Sequence, residues 1–157
     1  MFSKNEKKLS KNLNNLITEE KSCKINSLSS WIKFADNVKA HAKKLNTNLL
    51  NYNKKNLKIM GYGASARSST LLNYINISNK TIHQIIDRNP IKENKYTPGT
   101  NIKIVNYEDN KHLITEMKTL FLLSWNFSKE IIKDLKKDGI KCKVIQPLPK
   151  KIKIYDI

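Results

Sequence analysis

LKIMGYGASARSSTLLNY, residues 57–74, decides how the rest of the chain is read. A short apolar run (Leu57, Ile59, Met60) meets Gly61-Tyr62-Gly63-Ala64-Ser65-Ala66, and a helix-like segment follows with Leu71, Leu72 and Tyr74 expected inward. Strand, tight glycine turn and helix make the opening of a βαβ unit. The G-x-G-x-x-A spacing has a physical basis there: Gly61 can turn sharply, Gly63 lets the backbone approach a ligand, and small Ala66 lets the helix lie close to the strand. Free N–H groups at the helix start favour negative charge. Read without a ligand, the same glycines serve only to reverse the chain.

Upstream, residues 1–21 are rich in Lys, Asn and Glu, with Leu9, Leu13, Leu16 and Ile17 at helical spacing. They read as a basic tail, a short amphipathic helix or a partner-docking segment, set apart from a domain over residues 22–157. Ser27 or Ser29 is placed to cap a long helix that runs to about Tyr52. Its apolar positions Trp31, Phe34, Ala35, Val38, Ala42, Leu45 and Leu49 recur at three- and four-residue intervals and predict one buried stripe.

Downstream, residues 81–86 (TIHQII) read as a second strand ended by Asp87-Arg88-Asn89-Pro90. Asp87 stands where a dinucleotide fold places the acid that contacts a ribose hydroxyl. A polar loop over residues 91–100 carries a Pro98-Gly99 turn, and a short strand follows at residues 102–105. Residues 107–116 read as a helix or irregular turn. The continuous apolar run TLFLL, residues 119–123, suits a buried parallel strand and leads into Ser124-Trp125-Asn126-Phe127. Ser128 is expected to cap a helix to Lys137 with Ile131, Ile132 and Leu135 inward, closed by Asp138-Gly139. Residues 143–146 give a last strand, and residues 151–157 stay ambiguous. The predicted fold is α/β: a small Rossmann-like, doubly wound, mostly parallel sheet of about five strands, preceded by a long N-terminal helix.

The 157 residues carry a net charge of +17, which raises the possibility of nucleic acid. Lysine, however, is spread through nearly every segment, and no nucleic-acid-reading motif or aromatic ladder is present. Arginine, the better phosphate fork, occurs only as Arg67 and Arg88, in the loops at the carboxyl ends of adjacent predicted strands. Cys23 and Cys142 lie far apart, so neither a metal site nor a disulfide is implied, and a reducing cytoplasm is the expected compartment. No run has the length of a membrane span. His41, His83 and His112 fall in unrelated segments. Trp125 and Asn126 join the same carboxyl edge, where an indole either stacks on a ring or plugs the sheet edge.

Four blocks together, GYGASARSSTLLNY (61–74), DRNPIKENKYTPGTNIKI (87–104), LLSWNF (122–127) and QPLP (146–149), resemble the C-terminal domain of S-adenosylmethionine-dependent sugar C-methyltransferases, enzymes that methylate ring carbons of nucleotide-linked deoxysugars. Members of that family place a cysteine-built zinc module and a methyltransferase domain with His/Glu/Tyr catalytic groups before this domain, and residues 1–21 have no room for either. The resemblance therefore implies a share in holding a dTDP-sugar-like substrate and in closing the active site. S-adenosylmethionine is expected on a partner chain, and no catalytic residue or metal ligand is assigned here. In this reading Gly61 makes the turn, backbone N–H groups from Gly63 through Ala64 and Ser65 to Ala66 meet phosphate, and the side chains of Ser65, Arg67 and Ser68 join them. Asp87, Arg88 and Asn89 face sugar or nucleoside hydroxyls, while Tyr62, Trp125 and Asn126 border a ring. The competing readings are a stand-alone NAD-type or nucleotide-sugar binding module, and a protein docking module with a vestigial cleft.

Overall fold

β1 (Ile59–Tyr62) is buried along its whole length, and the sheet grows from both of its sides. The structure, a computed structural model, describes residues 10–55, 57–149 and 151–157. They fall into two units, the described residues up to Ala40 and those from His41 to Ile157.

In the second unit, β1 leads through α3 (Ala66–Tyr74) to β2 (Ile82–Asp87), which lies parallel beside it. A 3-10 turn (Pro90–Lys92) and the Pro98-Gly99 loop connect to β3 (Lys103–Asn106) on the outside of β2. Two short helices, α4 (Tyr107–Asn110) and α5 (His112–Met117), carry the chain back across to β4 (Thr119–Leu122), on the other side of β1. A second 3-10 turn (Trp125–Phe127) and α6 (Ser128–Lys137) lead to β5 (Lys143–Gln146). The strand order is β3-β2-β1-β4-β5-β6. The chain thus reverses its direction of travel between β1 and β4, and open α/β sheets bind ligands outside the carboxyl ends of strands at such a crevice.

Strand alternation sorts the core into two layers. Ile59, Ile85, Ile104, Phe121 and Ile145 point to one face, where they meet Leu72 of α3 and Leu45 and Leu49 of the long helix α2 (Leu28–Lys54). Met60, Tyr62, Ile86, Leu120, Leu122 and Val144 point to the other, against Ile114 and Met117 of α5 and Ile131 and Leu135 of α6. Both faces of the sheet are covered, which is why β1 and β4 are buried throughout.

The α/β, mostly parallel architecture is the one predicted. The ambiguous tail adds a sixth strand, β6 (Lys153–Asp156), antiparallel to β5. Tyr74 turns outward at 54% exposure, contrary to expectation, because Leu72 and Ile75 already fill the inner side of that turn. Ser128 opens α6 without any side-chain capping bond.

In the first unit, Ser10 caps α1 (Lys11–Ser22) by accepting the Leu13 N–H at 3.2 Å. Ser27, of the two candidate serines, caps α2 by accepting the Ser30 N–H at 3.2 Å. Residues 1–9, and with them Leu9, lie outside the described residues. The expected single buried stripe on α2 is only half realised. Leu45 and Leu49 are buried, but Trp31, Phe34 and Ala35 are exposed and Val38 is half-buried.

Candidate functional site at the crevice between β1 and β4

The turn after β1 is held by its neighbours on both sides. Gly63 has φ +93° and donates its N–H to the Ile86 carbonyl at 2.8 Å. A Cβ on Gly63 would overlap the Ser124 side chain, so the close approach expected for a ligand is filled by the turn after β4. Gly61 lies inside β1 and not in the turn. Its missing Cβ makes room for Ile85, whose Cγ1 would stand 2.7 Å away. Ala66, expected to pack against the strand, is exposed; Ala64 and Ser68 occupy the inner positions instead.

α3 opens with a reciprocal capping box, in which Ser65 Oγ accepts the Ser68 N–H at 3.2 Å and Ser68 Oγ accepts the Ser65 N–H at 2.6 Å. Ser68 is fully buried and also donates to the Ser65 carbonyl at 2.6 Å, so its hydroxyl is turned into the protein, away from the phosphate position expected for it. The Ala64 N–H is taken by Asp87. That leaves Ala66 and Arg67 as the backbone donors at this helix start for which the described residues offer no hydrogen-bond partner.

Asp87 is 8% exposed and ties the turn to the end of β2. One oxygen accepts the Ala64 N–H at 2.7 Å and the Lys92 ammonium at 3.1 Å; the other accepts the Asn89 N–H at 2.8 Å. Lys92 also donates to the Ala64 carbonyl at 2.7 Å. Lysine and aspartate together clamp both backbone groups of Ala64, leaving the carboxylate engaged where an open hydroxyl acceptor was expected. Asn89 accepts the Ile91 N–H at 3.0 Å and so caps the 3-10 turn.

Two hollows flank this turn. The first, of about 360 Å³, is lined by Ser65, Ala66, Arg67, Trp125, Asn126 and Phe127 among others. The second, of about 230 Å³, is bordered by Tyr62, Gly63, Asp87, Arg88, Glu130 and Asp134. Ser124 and Phe127 belong to both. The two arginines, expected together at one rim, are divided between them. Arg67 stands in the first hollow. Arg88 stands in the second, donating to the Tyr62 hydroxyl at 3.1 Å, pairing with Asp134 at 3.0 Å and lying 4.6 Å above the Tyr107 ring. Burial raises the Tyr62 phenol above its ordinary range, against the opposing pull of Arg88. Tyr107 is likewise raised, by burial and by the 2.7 Å bond it donates to Asp138. Both phenols stay protonated at neutral pH; Tyr107 donates to Asp138, whereas the Tyr62 hydroxyl accepts from Arg88.

The first hollow therefore combines a helix start, a guanidinium, two aromatic side chains and an amide, an arrangement suited to an anion attached to a ring. The second combines carboxylates, a phenol and a paired guanidinium, suited to hydroxyl groups. Sequence reading did not single out Phe127, Lys92, Glu130, Asp134 or Tyr107. Phe127 alone carried a signal, as an apolar residue directly after Trp125 and Asn126 that the helix stripe of Ile131 and Leu135 does not use. Among the described residues no group of His, Cys, Asp and Glu could hold a metal ion, and no helix is long and apolar enough to cross a membrane.

A search of the curated proteins gives no match. Among solved structures, 19 chains match, one of them UDP-D-quinovosamine 4-dehydrogenase from Vibrio fischeri, with 22% identity over 64% of this chain and 93% of that chain and a TM-score of 0.40. The family model of the C-methyltransferase C-terminal domain matches residues 2–149, nearly the whole length. The chain belongs to the family of C-methyltransferase C-terminal domains.

Proposed function

We propose that this chain is the C-terminal module or subunit of an S-adenosylmethionine-dependent sugar C-methyltransferase, and that it helps to hold a nucleotide-linked sugar and to close the active site over it. The methyl donor sits on a partner domain. Methyl transfer needs a donor held in line with a carbon nucleophile and a base beside its proton. The role assigned to this chain is positioning, with no catalytic group of its own.

The observation that carries the reading is the hollow beside the start of α3, where the free N–H groups of Ala66 and Arg67 and the Arg67 guanidinium converge with Trp125, Asn126 and Phe127. Donors at a helix start and a planar guanidinium suit a diphosphate. Its volume lies at the lower end of small-molecule sites. That is room for a diphosphate and one ring, with the adjoining hollow of Tyr62, Arg88 and Glu130 left for the sugar hydroxyls. The dinucleotide alternative relies on Asp87 as an acceptor for ribose, and its engagement by Ala64, Asn89 and Lys92 argues against that use.

Calorimetric titration of a dTDP-deoxysugar into the wild-type chain and Arg67→Ala tests the proposal. A loss of affinity of about tenfold, as for one charge-assisted contact, is expected. Equal affinities would refute the phosphate role, and tighter binding of NAD than of the dTDP-sugar would favour the dinucleotide module.

A further inference from the structure

The two hollows beside the start of α3 share two residues, Ser124 and Phe127, which follow directly after β4. Ser124 is the polar one, and the backbone fixes it. Its N–H donates to the Tyr62 carbonyl at 3.1 Å, beside that of Leu123 at 3.0 Å, and its own carbonyl accepts the Phe127 N–H at 3.0 Å. Its side chain fills the space that a Cβ on Gly63 would need. The end of β1 and the 3-10 turn after β4 thus hold this residue between them. Its hydroxyl is nevertheless uncommitted. Ser124 heads the 3-10 turn (Trp125–Phe127) without a side-chain capping bond, and its hydroxyl finds no other partner among the described residues. Ser65, the other serine lining the first hollow, is by contrast engaged in capping α3. Ser124 is only half-buried, so its hydroxyl is a free group at the crevice and not a buried defect.

We propose that the Ser124 hydroxyl holds the sugar-bearing phosphate of the nucleotide-sugar, donating a hydrogen bond to one of its oxygens. The inference rests on the function proposed above and gives that site a specificity-determining residue. A ligand with its base ring and diphosphate in the first hollow and its sugar in the second must pass over the residues common to both. There it meets one polar side chain, Ser124, and one apolar wall, Phe127, which is 61% exposed. A phosphate oxygen is the acceptor that suits this place. A hydroxyl hydrogen rotates to find it, and an O–H bond to a charged oxygen is short and strong. Because backbone hydrogen bonds already hold Ser124, little freedom is lost when the ligand arrives. The open conformation of Gly63, with φ +93°, then serves the ligand indirectly, by making room for the hydroxyl that meets it.

The experiment titrates dTDP-rhamnose and dTMP separately into the full chain and into Ser124→Ala, by calorimetry. dTMP carries the base and one phosphate but neither the sugar nor the phosphate that bears it. Ser124→Ala is expected to weaken dTDP-rhamnose about tenfold, as for one charge-assisted hydrogen bond, and to leave dTMP unchanged. Unchanged dTMP affinity and an unchanged thermal unfolding midpoint also show that the variant keeps its fold and its first hollow. Equal dTDP-rhamnose affinity in wild type and Ser124→Ala would overturn the inference. So would an equal loss for both ligands, since the hydroxyl would then shape the first hollow instead of meeting the sugar-bearing phosphate. A wild-type chain that binds neither ligand would sink the nucleotide-sugar reading itself, so the two failures remain distinguishable.

Discussion

Replacing Asp87 by alanine should destabilise the protein more than any change in the first hollow. Three hydrogen bonds end on this carboxylate, from Ala64 N–H, Asn89 N–H and Lys92 Nζ, and the group is almost fully buried. Hydrogen bonds to a charged group contribute about 1.5–3 kcal/mol each, and a buried donor left unpaired costs about 1–3 kcal/mol. The three are not additive because they share one acceptor. Lys92, with its side chain 35% exposed, can turn to water once its partner is gone, so its share is the smallest. A net loss of about 3–4 kcal/mol follows, which for a chain of this size lowers the melting temperature by roughly 10–15 °C. Asp87→Asn keeps one acceptor oxygen but turns an amide donor toward another N–H, and should fall between the two. Arg67→Ala, exposed and remote from this clamp, should stay within about 0.5 kcal/mol of wild type. Urea unfolding followed by circular dichroism measures all three variants. If Asp87→Ala unfolds within about 1 kcal/mol of wild type, the clamp does not hold the turn, and the assignment of Asp87 to structure rather than to ligand fails.

Gly63→Ala should cost about 2–3 kcal/mol, because its φ of +93° is unfavourable for an L side chain and the added methyl overlaps Ser124; a stability equal to wild type would show that the two turns are not packed as described. Cys142 is buried, and burial pushes its thiol up to about 11, so alkylation at pH 8 should label the exposed Cys23 many times faster; equal labelling in a mass-spectrometric time course would contradict the packing of β5. A thiol raised from its ordinary value contributes stability that is present below about pH 9 and is lost as pH rises toward about 11, and Cys142→Ala should remove that part of the alkaline decline.

Much of this architecture was legible because period and punctuation agree. TLFLL could only be a strand covered on both faces, and the glycine turn between an apolar run and an amphipathic segment fixed the first βα junction. The tail resisted because residues 153–156 alternate around lysines and pair only as an antiparallel edge, a contact that depends on β5 being in place. Half of the α2 stripe misled for a related reason. Periodicity reports that a face is apolar, not what covers it: Leu45 and Leu49 are buried in the core of the second unit, while Trp31 and Phe34 are exposed. In the site, residue type located the rim but not the pairings. Nothing in the order Asp87-Arg88-Asn89 foretells that Lys92, five residues on, reaches back to close the clamp, or that Asp134 on a distant helix draws Arg88 away from Arg67. These are long-range choices between similar side chains.

The central claim is that an anion rests against the open amides at the start of α3. Amide chemical shifts of isotope-labelled protein, recorded as dTDP is added, test it most directly. The account predicts saturating shifts at Ala66 and Arg67, with Asn126 following and the Trp125 indole N–H affected by the thymine ring. Shifts absent at those amides, or gathered instead around Lys118, Lys141 and Lys143 at the hollow by Cys142, would contradict it.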